Sequence, residues 1–497
     1  HGSMLHDMGA GVDPGRTHLF LSTLGRQGQP QNEVAPQPPK GSVMIRQIAR
    51  TICTIASIIY SAETNSIYAE LQADYRITST TPTTLITKTI ATPITQNILL
   101  SSDGRFFPNG ALDLSNTAAI AGVFITVDGV QQSNLSLINW NHVRHPKQHS
   151  FNCIGLVTVP PGQHTVSLMA ASLNGAPFYV GARSNLSIIV NPGKFSSVVT
   201  HNDDKGAIGF TTNGIKVGTP LPSIPILSLS IPVPYTGGQI IGLASSRIFD
   251  YAGINGDPLT AIYIDGAEPR NHEGNWSDND MNANGETETQ APFFNHGYFQ
   301  KSAGTHTLSY NASELSYGEN TSASKENGIY YFVGAGSRLI GILGGRVTGR
   351  GYESTQSNNR TNYIPIASAV NWPGYPLPGT DVVIARGNIF VPSDHNGIVF
   401  FAGKTRVQGD PKDPAIPGFE ESTYLWLTID GAVRGSLGAQ DIGTGDNQST
   451  RTISTSFLAE GNNKLSFGNH VVELHAMALG GFAHFCMTQD LPLIWFD

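Results

Sequence analysis

Three stretches of this chain repeat one outline, and a chain that repeats a supersecondary unit folds as copies of that unit. Ile90-Ala91-Thr92-Pro93, Ile231-Pro232-Val233-Pro234 and Ile389-Phe390-Val391-Pro392 each open a unit. An apolar run follows each and ends near Arg105, Arg247 or Arg406. Farther on, an alternating run closes in Asp128-Gly129, Asp265-Gly266 or Asp430-Gly431. A third marker then recurs as Gly162-x-His164-Thr165-Val166, Gly304-x-His306-Thr307-Leu308 and Gly468-x-His470-Val471-Val472. Such an architecture argues for repeated binding or spacer modules over a single catalytic core.

Each marker has a physical reading. The proline ends one strand and turns into the next where no ladder hydrogen bond is needed. Asp-Gly is a hairpin turn, because both residues tolerate positive φ. The glycine of the third marker supplies a turn and the alternation after it a strand. One histidine per unit, with no second ligand at metal spacing, reads as a satisfied strand-edge imidazole.

Composition agrees with short strands and many turns. Of 497 residues, 55 are glycine, 30 are proline and only 13% are charged, the pattern of all-β sandwiches in a chain with room for two to four domains. The net charge of −8 gives no electrostatic footprint for nucleic acid. No apolar run is long enough for a transmembrane helix, so no membrane partner is expected. Cys53, Cys153 and Cys486 lie far apart and show neither metal-ligand spacing nor a disulfide framework.

His1 to Met4 read as the tail of an affinity tag joined to a native start, and residues 1–42 as an extended N-terminal arm. Residues 43–73 carry a heptad, with a positions at Ile45, Ile52, Ile59 and Ser66 and d positions at Ile48, Ile55, Ala62 and Ala69. Isoleucine at both a and d favours trimers or tetramers over dimers, so Ile45, Ile48, Ile52, Ile55, Ile59 and Ala62 are the expected trimerisation residues. The same residues admit another reading. Met44 can start a signal peptide with Arg46 and Arg50 as its basic region and cleavage after Ala69. Three units follow at 74–192, 202–345 and 352–497, with short connectors that imply units stacked like beads rather than hinged freely.

A strand ending in Asp-Gly, a variable polar loop, a Gly-x-His-Thr-Val/Leu element and a closing strand after an arginine together resemble the tumour-necrosis-factor-like jelly-roll modules of bacteriophage tail fibres and receptor-binding proteins. The residues concerned are Asp128, Pro161 to Val166 and Arg183, then Asp265, Ala303 to Leu308 and Arg338, with a looser match in the third unit. The resemblance implies three tandem jelly-roll-like β-sandwiches and modules that commonly trimerise.

The longest insertions fall between Asp-Gly and Gly-x-His, where a rigid sandwich displays them. The first carries Trp140, His142 and His145. The second carries Asn275 and Trp276, then Asp278 as a further candidate calcium ligand ahead of Asp280-x-Asn282-x-Asn284-Gly285, the first half of a calcium loop whose terminal glutamate is missing. Exposed tryptophan beside amide and carboxylate groups suits sugar rings. No nucleophile elbow, phosphate loop, zinc-protease helix or dinucleotide fingerprint is present, and no enzyme is expected. The resulting expectation is a homotrimeric virion fibre or receptor-binding protein. It attaches to a virion or tail partner by its arm and to a bacterial surface glycan by its loops, with calcium as the one candidate cofactor. A secreted or cell-surface adhesin starting at Met44 and a polysaccharide depolymerase are the alternatives.

Overall fold

The structure is a computed structural model that describes residues 66–108, 119–139, 148–200, 206–210, 223–250, 258–267, 277–278, 290–314, 329–334, 336–344, 346–351, 364–366, 381–393, 398–409, 421–442, 450–479 and 484–495. They form antiparallel sheets with one short 3-10 turn (Gly461–Asn463) and no α-helix among the described residues.

The first repeat contains β1 (Ile67–Glu70), β2 (Tyr75–Ile77), β3 (Thr83–Thr92), β4 (Gln96–Pro108), β5 (Ile120–Val127), β6 (Val130–Gln131), β7 (Ser136–Asn139), β8 (His149–Val159), β9 (Gly162–Ser172), β10 (Phe178–Val180) and β11 (Asn185–Val190). The second contains β12 (Phe195–Thr200), β13 (Gly206–Phe210), β14 (Ile224–Val233), β15 (Gly238–Asp250), β16 (Pro258–Ile264), β17 (Ser277–Asp278), β18 (Gln290–Lys301), β19 (Gly304–Glu314), β20 (Ile329–Val333) and β21 (Arg338–Leu343). The third contains β22 (Arg346–Gly351), β23 (Ile364–Ile366), β24 (Val382–Val391), β25 (Val399–Gly409), β26 (Glu421–Ile429), β27 (Ala432–Ile442), β28 (Thr450–Ala459), β29 (Gly468–Leu479) and β30 (His484–Trp495).

Each repeat folds into an inner and an outer sheet by one plan. The inner sheets centre on β4, β15 and β25, and the outer sheets run β3-β9-β5, β14-β19-β16 and β24-β29-β26. In every repeat the first strand pairs with the last: β1 with β11, β12 with β21 and β22 with β30.

Residues 63–497 form one compact unit. The reason lies in the inner strands, which are apolar on both faces. In β4, Ile98 and Leu100 point into their own sandwich while Leu99 points out of it. In β25, Phe401 faces its sandwich core and Phe400 faces away. The outward side chains of all three repeats, Leu99, Ile241 and Phe400 among them, meet in one buried cluster. Apolar surface facing outward on each inner sheet has to be covered, and the other two repeats cover it.

A polar ring closes the same axis. Asp103, Ser245 and Lys404 each precede a repeat arginine by two residues, and all three are buried. Ser245 Oγ donates to the Asn152 carbonyl (3.2 Å) and Lys404 Nζ to the Phe294 carbonyl (3.4 Å). Asn152, Phe294 and Ser454 are the register partners of Asp103, Ser245 and Lys404 on β8, β18 and β28. Thus the second repeat contacts the first, and the third contacts the second, through equivalent positions. A carboxylate cannot donate, so the third contact reverses: Ser454 Oγ and Ser456 Oγ donate to Asp103 Oδ1 and Oδ2 at 2.7 and 2.5 Å. The repeats form a closed cyclic triple within one chain.

The heptad is corrected at its C-terminal end. Ser66 and Ala69 are not helical; Ala69 lies in β1 opposite Leu186. The remaining trimerisation residues, Ile45, Ile48, Ile52, Ile55, Ile59 and Ala62, lie outside the described residues. Cleavage after Ala69, as the signal-peptide alternative requires, would sever β1. That strand is anchored by the Tyr68 ring on Phe457 (4.9 Å between centroids) and by the Tyr68 N–H on Glu460 Oε1 (2.9 Å).

Candidate functional site

The Asp-Gly and Gly-x-His markers turn out to be one device. Asp128, Asp265 and Asp430 have φ of 51, 54 and 50°, a left-handed conformation that aspartate tolerates. Their Oδ1 atoms accept from the backbone N–H of Thr165, Thr307 and Val471 at 2.8, 2.9 and 2.9 Å. Their Oδ2 atoms face Nδ1 of His164, His306 and His470 at 2.7, 2.8 and 2.7 Å. On the far side of each ring, Nε2 faces the carbonyl of Pro160, Ser302 or Ser466 at 2.8, 2.9 and 2.8 Å. Both ring nitrogens therefore face acceptors, and only a doubly protonated imidazole donates to both.

Electrostatics follows that geometry. The Asp128 hydrogen bond raises the His164 pKa above the usual histidine value against the opposing effect of burial. At His470 burial pulls down, but the bonds to Asp430 and Ser466 outweigh it and the pKa is raised. The Asp128 carboxyl is lowered chiefly by His164. Burial works to raise Asp265, yet bonds from Lys301, His306 and Thr307 bring it down to about 2. Asp430 is likewise lowered by His470 against burial. The histidines are strand-edge staples that tie two hairpins of one sheet together.

The staples also mark polarity. In each sandwich they sit at the end where turns are short, beside Gln96, Gly238 and Val399 at the starts of the inner strands. The inner strands meet level for level both at Asp103, Ser245 and Lys404 and, four residues earlier, at Leu99, Ile241 and Phe400, so they run the same way and their staple ends share one pole. Ser66, the first described residue, is at this pole, its Oγ accepting from Val190 N–H (3.4 Å). The strands that flank the long connections end at the opposite pole, around Pro108, Asn139, Asp250 and Gly409.

The repeat arginines are scaffolding. Gly181 and Gly334 lie against the side chains of Arg105 and Arg247, where any β-carbon would collide with the guanidinium group. Their N–H groups donate to the arginine carbonyls at 2.9 and 2.7 Å. Arg183 Nη2 crosses to the third repeat and donates to the carbonyls of Arg434 (3.1 Å) and Gly435 (2.8 Å).

One cluster belongs to a single repeat. On the outer sheet of the third sandwich, Arg386, Glu473 and Thr428 lie in one row across β24, β29 and β26, and His475 and Trp426 lie in the next. Arg386 binds Glu473 Oε1 through both Nε and Nη2. Burial tends to raise the Glu473 pKa, but this guanidinium pairing outweighs it and holds the carboxyl low. His475 Nδ1 is 2.7 Å from Asp381 Oδ1, and Nε2 is 3.0 Å from Thr428 Oγ1. The Trp426 and His475 rings lie within 20° of parallel, 5.6 Å apart.

The order Asp381, His475, Thr428 is that of a hydroxyl-activating triad. Thr428, however, is buried in mid-strand, its Oγ1 shared with Glu473 Oε2 at 3.2 Å, on a sheet whose N–H groups are used in ladder pairing. The geometry offers contact groups rather than an oxyanion hole.

The structure separates the residues expected from the sequence. Trp140, His142, His145, Asn275, Trp276, Asp280, Asn282 and Asn284 lie outside the described residues. Asp278 is on β17, paired with Leu259 at the edge of the outer sheet of the second sandwich. Trp140 directly follows β7 and Trp276 directly precedes β17. Among the described residues no group of His, Cys, Asp and Glu is arranged to hold a metal ion, and no helix is long and apolar enough to cross a membrane. Reasoning from the sequence missed the third-sandwich cluster; its signal was the spacing Trp426-x-Thr428 against Glu473-x-His475, which puts all four side chains on one face of paired strands.

No family model and no curated protein matches the chain. Remote similarity to solved structures is illustrated by three of them. The ANX1 ectodomain from Arabidopsis thaliana is 11% identical, with a TM-score of 0.15 over 56% of this chain and 89% of that one. The infectious bursal disease virus Gt strain structure is 9% identical, with a TM-score of 0.20 over 86% and 82%. A CBM22 tandem domain from Paenibacillus barcinonensis is 10% identical, with a TM-score of 0.16 over 60% and 98%. Scores this low carry no argument about function.

Proposed function

We propose that the chain is a non-enzymatic attachment protein, a virion fibre or receptor-binding protein that docks to its particle through the N-terminal arm and engages a bacterial surface glycan. The observation that carries this reading is polarity. The described chain enters the three-sandwich head at the staple pole, while the strands flanking the Trp140 and Trp276 segments end at the other. A head held at one pole presents the other outward. Several weak sites on one rigid head gain avidity from their fixed spacing.

Within this proposal Ile45 to Ala62 join three chains as a coiled coil, and Asp278, Asp280, Asn282 and Asn284 bind calcium. The test is adsorption of purified protein to host bacteria. Trp140→Ala with Trp276→Ala is expected to weaken adsorption by about tenfold or more. Adsorption equal to the parent protein would remove those connections from the binding end.

A further inference from the structure

We propose that the outer face of the third sandwich, at Trp426, His475 and Asp381, is a lateral binding site for a neutral saccharide. It rests on the reading of the chain as a glycan-binding attachment protein, and it adds a contact away from the distal connections. Internal repetition supplies the control. At the positions of Arg386, Glu473 and Thr428, the first repeat has Thr87, Ser167 and Thr126, and the second has Ser228, Ser309 and Tyr263. At the positions of His475 and Trp426, the first has Met169 and Phe124, and the second Asn311 and Ala261. All three sheets keep the same register with these different side chains, so the sandwich itself does not require the charged cluster. Something other than folding accounts for it.

The chemistry of the cluster selects the ligand. Trp426 is partly exposed beside the near-parallel His475 ring, a platform suited to the C–H face of a pyranose. Asp381 has a side chain 54% exposed, and only its Oδ1 is engaged by His475. Arg386, also 54% exposed, spends Nε and Nη2 on Glu473 and keeps Nη1 for an acceptor. Acceptor and donor thus flank an aromatic stripe, the arrangement that fixes sugar hydroxyls. Because Glu473 already neutralises Arg386, an anionic sugar would meet the uncompensated oxygen of Asp381. A neutral one would not.

The experiment uses the full chain and an immobilised panel of neutral hexose and N-acetylhexosamine oligomers, with saturation-transfer NMR on the oligomer that binds. Trp426→Ala is expected to reduce affinity about tenfold and Asp381→Asn several-fold, at unchanged unfolding midpoints, while Trp426→Phe retains most of the binding. Parent-like binding by both Trp426→Ala and Asp381→Asn overturns the inference. Loss confined to the Trp140→Ala, Trp276→Ala double variant also overturns it and leaves the attachment reading standing. A parent protein that binds no oligomer of the panel overturns the inference, and the attachment reading falls with it only if adsorption to host bacteria is also absent.

Discussion

Replacing Asp103 should do more damage than any surface change, and the structure sets the size of the effect. The carboxylate is buried and accepts from Asn152 Nδ2 at 3.0 Å within its own repeat and from Ser454 and Ser456 across the seam. Asp103→Ala would strand three buried donors at about 1–3 kcal/mol each. Relief of the burial that raises the Asp103 pKa offsets part of this, leaving a net loss of about 3–5 kcal/mol. Ser456→Ala alone should cost about 1.5–3 kcal/mol, since its bond is to a charged group. The two effects are not independent. A double-mutant cycle read from urea unfolding should give a coupling of at least about 1 kcal/mol. Coupling below about 0.5 kcal/mol, the level at which distant sites simply add, would refute the claim that this carboxylate joins the first repeat to the third.

Other outcomes are equally specific. Gly181→Ala should destabilise by about 1–3 kcal/mol through its collision with Arg105, and an unchanged melting temperature would count against that packing. The raised pKa values of His164 and His470 make their contribution complete below the unfolded value of about 6.5 and lost as pH rises through the folded value. The lowered values of Asp128 and Asp430 make theirs present above about 3.9 and lost as pH falls through the folded value. The urea midpoint of the parent minus that of a His164→Gln, His470→Gln variant should therefore peak between about pH 4 and 6.5; a difference flat from acid to alkaline pH would refute the staples. A chain beginning at Ser66 should scatter light as a folded monomer, because its sandwiches already cover one another, whereas the full chain should scatter near three times 53.0 kDa. A chain beginning at Asp74 loses β1 and should unfold more readily than one beginning at Ser66, as urea midpoints would show.

Much of the fold is written locally. Asp-Gly marks a hairpin because positive φ at Asp128, Asp265 and Asp430 is a short-range requirement. The partnership of each aspartate with its histidine spans 36, 41 and 40 residues, so no local pattern shows it. Its trace was the recurrence of the pair in every repeat. Closure of the repeats left a plainer trace: Ile98-Leu99-Leu100 and Val399-Phe400-Phe401-Ala402 are continuous apolar runs, the mark of a strand covered on both faces. Which surface covers the second face depends on residues hundreds of positions away. Only the C-terminal end of the heptad, at Ser66 and Ala69, misled, because heptad spacing says nothing about the partner strand β11, which takes residues 67–70 into a sheet.

Closing the triple within one polypeptide has a genetic consequence. In an assembly of three identical chains, each codon change appears at three sites at once and must be tolerated at all of them. Here every change appears once in the head. Asp103, Ser245 and Lys404 were free to become different, and each seam at the axis is closed by its own hydrogen bonds. The third sandwich was equally free to acquire Arg386, Glu473 and Trp426 while its siblings kept Thr87, Ser167 and Phe124 or Ser228, Ser309 and Ala261. Duplication followed by drift can then give one head three unlike flanks, each open to selection on its own.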